Sequence, residues 1–200
     1  MSLRNCFVLT CDSASERAQF SKNILEKVGF SVNFVRCIPH TDKVISNKIS
    51  MQHIYGLIAN GTDANEWVYV FEDDINVLED ITLDEIIEYE KISNTFFYLG
   101  VCVYNIREIL LNKQHQINGH KIAVAKGFIR GLHSIALSKH GAKELLLFSE
   151  QMTADRYMDV ILEKFSIKYP ANVVRFDLES YIKGHRGIFY QDRNRFPSSI

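Results

Sequence analysis

The chain has 200 residues, 46% of them hydrophobic and 24% charged, with a formal net charge of -1. That suits one domain with a sizeable core, and the near-zero charge excludes a global field directed at nucleic acid or membrane. The four cysteines include no Cys-x-x-Cys pair, and no signal peptide or membrane-spanning apolar run is visible, so the expectation is a protein of a reducing compartment, cytoplasmic, without structural zinc or a disulfide framework.

Taken in chain order, Cys6 to Thr10 has β character and is broken by Asp12, Ser13 and Ser15. Ser13 and Glu16 fit a capping box, Phe20, Ile24 and Val28 recur at helical spacing, and Gly29 stops the helix. Ser31 to Cys37 alternates like a second strand. The apolar spacing predicts a helix over Val44–Ala59, ended near Gly61, and then a strand over Trp67–Phe71. This β-α-β-α-β order argues for an α/β domain whose mainly parallel sheet is flanked by helices. Thr82 and Glu85 make another capping-box match ahead of Ile86, Ile87 and Tyr89. Thr95 to Tyr104 is β-rich with a break at Gly100, and Asn112 to Gly119 reads as a loop. Ile122 to Ile135 reads as strand interrupted at Gly127 and Gly131. Helices are expected over Lys139–Phe148 and Ala154–Phe165, and an irregular tail over residues 183–200. No linker or repeat divides residues 1–200, so a single domain is expected.

The densest chemistry is Glu72-Asp73-Asp74, directly after Trp67-Val68-Tyr69-Val70-Phe71. Ionised carboxylates are seldom buried without partners, and like charges this close repel. A positive group would relieve that repulsion. A divalent cation such as Mg²⁺ or Mn²⁺ is the economical candidate, because it takes hard oxygen ligands and shares them with phosphates. The alternative is a solvated acidic turn.

The order and spacing of several short motifs resemble the family 25 glycosyltransferases, which include lipopolysaccharide and collagen galactosyltransferases and have the GT-A fold. Phe7-Val8-Leu9-Thr10-Cys11-Asp12 followed by Ser15-Glu16-Arg17 matches the family's opening strand, polar turn and arginine. His53 lies nineteen residues before Glu72, where the family has a Ser-His pair, and Glu72-Asp73-Asp74 matches its acidic motif. Gly131 to Ala142 matches its glycine, apolar strand and Gly-Ala helix start, and Asp155 follows after a helix's length. Gln52 stands where the family has serine, and Thr10-Cys11 where it has Asn-Leu.

The resemblance implies an inverting, metal-dependent transfer of a hexose, galactose or glucose, from a nucleotide sugar, a UDP-sugar foremost. The acceptor would be a glycan, a lipid-linked sugar or a protein, with no nucleic acid involved. Glu72 and Asp74 are the implied ligands of Mn²⁺ or Mg²⁺, and His185 in the tail would complete the shell, unless it is a solvated loop histidine. Asp73 is assigned to the donor ribose or sugar, or else to a cap or backbone contact. Arg17 would fork onto donor phosphate, or lie solvated on its helix. Asp12 binds the base or ribose, or closes an Asx-turn. His53 is a donor-site residue or a satisfied core histidine. Asp155 is the implied general base, against the alternative of a helix cap, and Asp159, one turn later, is the reserve. Lys183, Arg186 and Arg193 would neutralise a diphosphate or form a solvated basic tail. Two rival classes stay open: a nuclease or phosphatase using Asp12 with the acidic triplet around two metals, and an inactive nucleotide-sugar-binding module.

Overall fold

The computed structural model describes residues 3–62, 66–78, 80–103, 115–117, 120–127, 129–175 and 187–197. The first strand, β1 (Arg4–Thr10), leads into α1 (Glu16–Val28) and β2 (Phe30–Arg36); α2 (Lys43–Asn60) then leads to β3 (Trp67–Glu72). The helix α1 is capped by Ser15, whose hydroxyl accepts from the Ala18 amide, rather than by Ser13. The reason is local: an Asp12 carboxylate oxygen accepts from the Ala14 amide at 2.9 Å, and this Asx-turn uses up the residues before the helix. At its far end Gly29 adopts φ 116° and donates its amide to the Leu25 and Glu26 carbonyls, the left-handed stop its sequence position predicts.

A short strand, β4 (Ile75–Val77), and α3 (Leu83–Glu90) follow, the latter opened by the predicted Thr82–Glu85 capping box. The second half contains β5 (Phe96–Val103), β6 (His115–Ile117), β7 (His120–Ala125) and β8 (Ile129–Ser138). After them come α4 (Lys139–Gln151), α5 (Met158–Lys168), β9 (Ala171–Val173) and β10 (Phe189–Gln191). The strand expected over Ile122–Ile135 with interruptions at Gly127 and Gly131 is two strands divided at Gly127, which turns at φ 75° and whose amide donates to the Ser166 hydroxyl, while Gly131 lies inside β8. Part of the expected loop over 112–119 is β6. The expected irregular tail contains β10, which pairs with β4.

The central sheet runs β2-β1-β3-β8-β5-β9-β7-β6. Strands β1, β2 and β3 are parallel, as expected, and β9 is parallel to β5. Strand β8 is antiparallel to both β3 and β5, and β7 is antiparallel to both β9 and β6, so the sheet is mixed beyond β3. Both faces are covered, which is why the β3 sequence is apolar without a polar alternate. Val68 and Val70 face one core, with Met51, Ile54 and Tyr55 of α2, Leu145 of α4 and Phe165 of α5. Trp67, Tyr69 and Phe71 face the other, with Leu25 of α1, Ile86 and Tyr89 of α3, and Phe189 of β10.

The Gly-Ala pair that opens α4 has a packing cause. Ser138 caps the helix by accepting from the Gly141 amide at 3.0 Å, and a Cβ on Gly141 would lie 2.0 Å from the Thr95 carbonyl oxygen. Gly141→Ala therefore forces backbone apart in the core and should cost roughly 1–3 kcal/mol, the range of overpacking. Urea denaturation of the two proteins measures it; an unchanged midpoint would show that the α4 start shifts freely.

Candidate functional site

The parallel run β1-β2-β3 sends three carboxyl ends to one edge of the sheet, the edge where ligands of open α/β sheets bind. Strand β8 runs the other way, and its Phe71↔Ser134 register delivers His133 to the same edge beside Glu72. Pairing of Gln191 with Ile75 lays β10 across the acidic triplet. These elements enclose a cavity of about 850 Å³. Thr10, Arg17 and Asp73 form part of its wall, with Glu72, His133 and Asp159 further round. Its volume lies in the range of small-molecule and cofactor sites.

The positive partner that the acidic triplet requires is present in the chain itself. Arg17 holds Asp73 through Nε at 2.5 Å and Asp74 through its terminal nitrogen at 3.2 Å. The Thr10 hydroxyl donates to the other Asp73 oxygen at 2.6 Å. Ser21, buried on α1, donates to the Asp73 carbonyl at 2.8 Å, so α1 fixes both the side chain and the backbone of the triplet. Gln191 donates to Glu72 at 2.8 Å and to Asp74 at 3.4 Å, and the Asp192 amide donates to the Asp74 carbonyl.

This neutralisation is incomplete. Asp74 is 2% exposed, and its Oδ1 has no hydrogen-bond partner among the described residues. Burial pushes the Asp74 carboxyl above the ordinary range, with Arg17 pulling it down and Asp73 pushing it up. Glu72 is pushed up to about 7, first by burial and then by the Asp74 and Asp73 charges. His133 is likewise 2% exposed, and neither ring nitrogen has a hydrogen-bond partner among the described residues. Burial lowers its pKa to about 4, so the ring is neutral and can donate from one nitrogen and accept at the other.

Most of the candidate residues from the sequence converge here. Glu72, Asp73, Asp74, Asp12, Arg17 and Asp159 all line the cavity, as does Arg193. Asp12 is exposed, with one carboxylate oxygen taken by its Asx-turn. Two residues do not converge. His53 is exposed on α2, away from the apolar face on which it was expected. Gln52, its neighbour, bonds Ser149 of α4. Asp155 does not begin a helix: α5 starts at Met158, because the Lys48 ammonium binds the Met152 and Asp155 carbonyls and holds a turn there. Both carboxylate oxygens of Asp155 accept from Lys164, at 2.9 and 2.8 Å. Asp155 is absent from the cavity wall, whereas Asp159, in the first turn of α5, is on it. Burial raises the Asp159 pKa, against a 2.8 Å hydrogen bond from the Val160 amide that lowers it. His185, Lys183 and Arg186 lie outside the described residues.

Sequence reasoning missed His133 and the clamping role of Gln191. Gly131-Leu132-His133-Ser134 was visible as a motif, but the burial of its histidine depends on an antiparallel β8. Lys43, Val44 and Asn47, at the start of α2, also line the cavity. The sequence places that helix start but not its distance from β3.

As for metal, no group of three His, Cys, Asp or Glu side chains is arranged to hold an ion among the described residues. The orphaned Asp74 Oδ1 and the neighbouring Glu72 carboxylate form a two-carboxylate donor set. That fits Mg²⁺ or Mn²⁺ when phosphate oxygens supply further ligands, the usual way Mg²⁺ is held.

No family model matches the chain, and no curated protein matches it. Among solved structures, apo UDP-glucose pyrophosphorylase superposes with a TM-score of 0.47 and 9% identity, over 94% of this chain and 76% of that one. That likeness is too distant to transfer an activity.

The raised Glu72 pKa sets the sign of a pH effect. The folded state holds a proton on Glu72 up to about pH 7, whereas the unfolded carboxyl releases it near its ordinary value of 4.5. The native state therefore binds more protons within that window, and its stability falls as pH rises through it. Glu72→Gln removes this titrating group. With chelator present, the variant should gain stability over wild type as pH is raised from about 4.5 to 8, and the gain should vanish at the acid end. Denaturant midpoints across that range test it; a constant difference would mean that Glu72 is not held protonated.

Proposed function

We propose that this chain is a glycosyltransferase of GT-A type that takes a nucleotide sugar, a UDP-sugar foremost, and passes the sugar to an acceptor hydroxyl. The observation that supports it is the mixed charge of one cavity. Glu72, Asp73 and Asp74 lie at its floor with an orphaned carboxylate oxygen, while Arg17, Arg36, Lys43 and Arg193 line the same space. A sugar nucleotide needs that combination: cationic side chains for a diphosphate and carboxylates for ribose, sugar hydroxyls or a shared cation.

In this reading Glu72 and Asp74 hold Mg²⁺ or Mn²⁺. Bound there, the ion would offset the charge that grows on the departing nucleoside diphosphate. Arg17 orients Asp73 and Asp74 through its two ion pairs. His133, neutral at the cavity wall beside Glu72, would present one ring nitrogen to a sugar hydroxyl. Asp159 takes the proton from the acceptor hydroxyl. It reaches the cavity where Asp155 does not, and burial moves its pKa upward, the direction that strengthens a carboxylate as a base.

A panel of nucleotide sugars, with and without Mn²⁺, should raise the melting temperature of the intact protein, because a ligand of the folded state adds to its stability. Asp74→Asn should keep the fold and abolish the Mn²⁺-dependent part of that shift; an undiminished shift would remove Asp74 from the metal role. If no nucleotide sugar shifts the melting temperature under any condition, the donor assignment fails.

For transfer itself, Asp159→Asn should lower turnover roughly a hundred- to ten-thousandfold, the contribution of a general base, with donor affinity retained. Asp155→Asn is the comparison. It loses the Lys164 ion pair but should leave turnover within a few-fold of wild type. The reverse pattern in steady-state kinetics would return the base to Asp155. Donor binding without turnover across a broad acceptor panel would instead indicate an inactive binding module.

A further inference from the structure

At the mouth of the cavity two thiols face each other. The β1–β2 ladder ends at Thr10↔Arg36, and one further step places Cys11 opposite Cys37. The Cys37 amide donates to the Thr10 carbonyl at 2.9 Å, so the ladder continues to that step. Neighbouring strands lie about 4.8 Å apart, within the Cα separation a disulfide spans. The two sulfur atoms are 3.1 Å apart, both residues are free cysteines, and both line the cavity. Cys11 is exposed and Cys37 half-buried. The proposed chemistry uses neither thiol.

We propose that Cys11 and Cys37 form a redox-modification site: a reversible intrachain disulfide across the ends of β1 and β2, made by exchange with a low-molecular-weight disulfide such as oxidised glutathione. The exposed Cys11 thiolate attacks one sulfur of that disulfide. A mixed disulfide forms and one glutathione thiolate leaves. Cys37 then gives up its proton, its sulfur attacks the Cys11 sulfur, and the second glutathione thiolate leaves. Two protein thiols are oxidised, one external disulfide is reduced to two thiols, and the released protons end on those thiols.

The order follows from burial. Cys37 is held protonated, its pKa pushed up to about 12 by burial first and then by its contact with Cys11, so the exposed partner is the one that meets the reagent. The buried Cys6 thiol is also pushed up, and it lies inside the core. A disulfide formed so close to solvent belongs to the labile class that small thiols reduce again.

The bond bears on the cavity. Thr10, adjacent to Cys11, fixes Asp73 through its hydroxyl, and Asp12, on the other side, lines the same wall. Joining Cys11 to Cys37 would close the 3.1 Å between the sulfur atoms and tie this strand end covalently to the end of β2. Its effect on the ligand rests on the nucleotide-sugar reading: oxidation should weaken UDP-sugar binding by roughly five- to a hundredfold, the usual span of coupling between linked sites. By reciprocity, bound UDP-sugar should make the disulfide harder to form by the same factor.

The test equilibrates the intact protein in glutathione redox buffers and reads its mass, thiol count and peptide map. Wild type should lose two hydrogens and two thiols together, with Cys11 linked to Cys37, and dithiothreitol should restore both. Cys37→Ser should stop at a glutathione adduct on Cys11, while Cys6→Ser and Cys102→Ser should behave as wild type. A lasting glutathione adduct on Cys11 of the wild type, a link to Cys102, or no loss of thiol would overturn the proposal. The melting shift with UDP-glucose and UDP-galactose is then compared for the reduced and oxidised forms. Equal shifts would overturn the effect on the cavity. If the reduced protein binds neither, the nucleotide-sugar reading fails, and the disulfide still stands or falls on the mass and the map.

Discussion

Three consecutive carboxylates at the end of a buried strand are the constraint around which this fold is arranged. Removing charge from water is costly unless each charge is paired and its oxygens are hydrogen-bonded. Here the partners come from far along the chain. Arg17 and Ser21 belong to α1, Thr10 ends β1, and Gln191 and Asp192 belong to the β10 segment. Each of those elements has to dock correctly before the triplet is satisfied. The left-handed Gly29 and the pairing of β10 with β4 are therefore part of the electrostatics as much as of the architecture.

Strand direction does the rest. Three parallel strands place the ends of β1, β2 and β3 at one edge. The antiparallel β8 adds His133 from its middle, because the register that sets Ser134 against Phe71 brings the next position beside Glu72. Gly100 shows how tightly this is built: a Cβ there would lie 2.0 Å from the Phe189 carbonyl oxygen and 2.6 Å from the His133 ring. The glycine lets β10 and β8 approach β5 together, and the β5 ladder shifts register on either side of it. What reads in sequence as an interruption is the opening through which the tail reaches the site.

Local signals in the sequence were faithful where the physics is local. The Thr82 cap, the Gly29 stop, the doubly covered β3 and the acidic triplet were all legible because each rests on residues a few positions apart. One local reading yields to another local interaction, the Asx-turn at Asp12 that leaves Ser15 rather than Ser13 as the α1 cap; the other differences are tertiary. Asp155 and Asp159 were read as one helical face, but Lys48, more than a hundred residues earlier, takes the Met152 and Asp155 carbonyls and delays the helix to Met158. The tail looked irregular because β10 is three residues long and gains its ladder only from the equally short β4. The repulsion within the triplet is legible from the adjacency of its carboxylates alone. Its relief came first from Arg17, whose sequence position gives no measure of its distance to β3.

That relief also decides how the site can respond to a ligand. Arg17 is committed to Asp73 and Asp74, whereas Glu72 is held by the neutral Gln191 amide, and burial pushes its pKa up to about 7. A diphosphate arriving alone would add negative charge beside it and drive it towards the protonated form. A divalent cation arriving alone would have to displace that proton and would find only two carboxylates. On the proposed reading, the two arriving together would each offset the other's cost: Glu72 and Asp74 would hold the cation, which would supply positive charge beside the diphosphate. In that reading, cooperative binding of metal and nucleotide sugar thus follows from the burial of Glu72 beside Asp74.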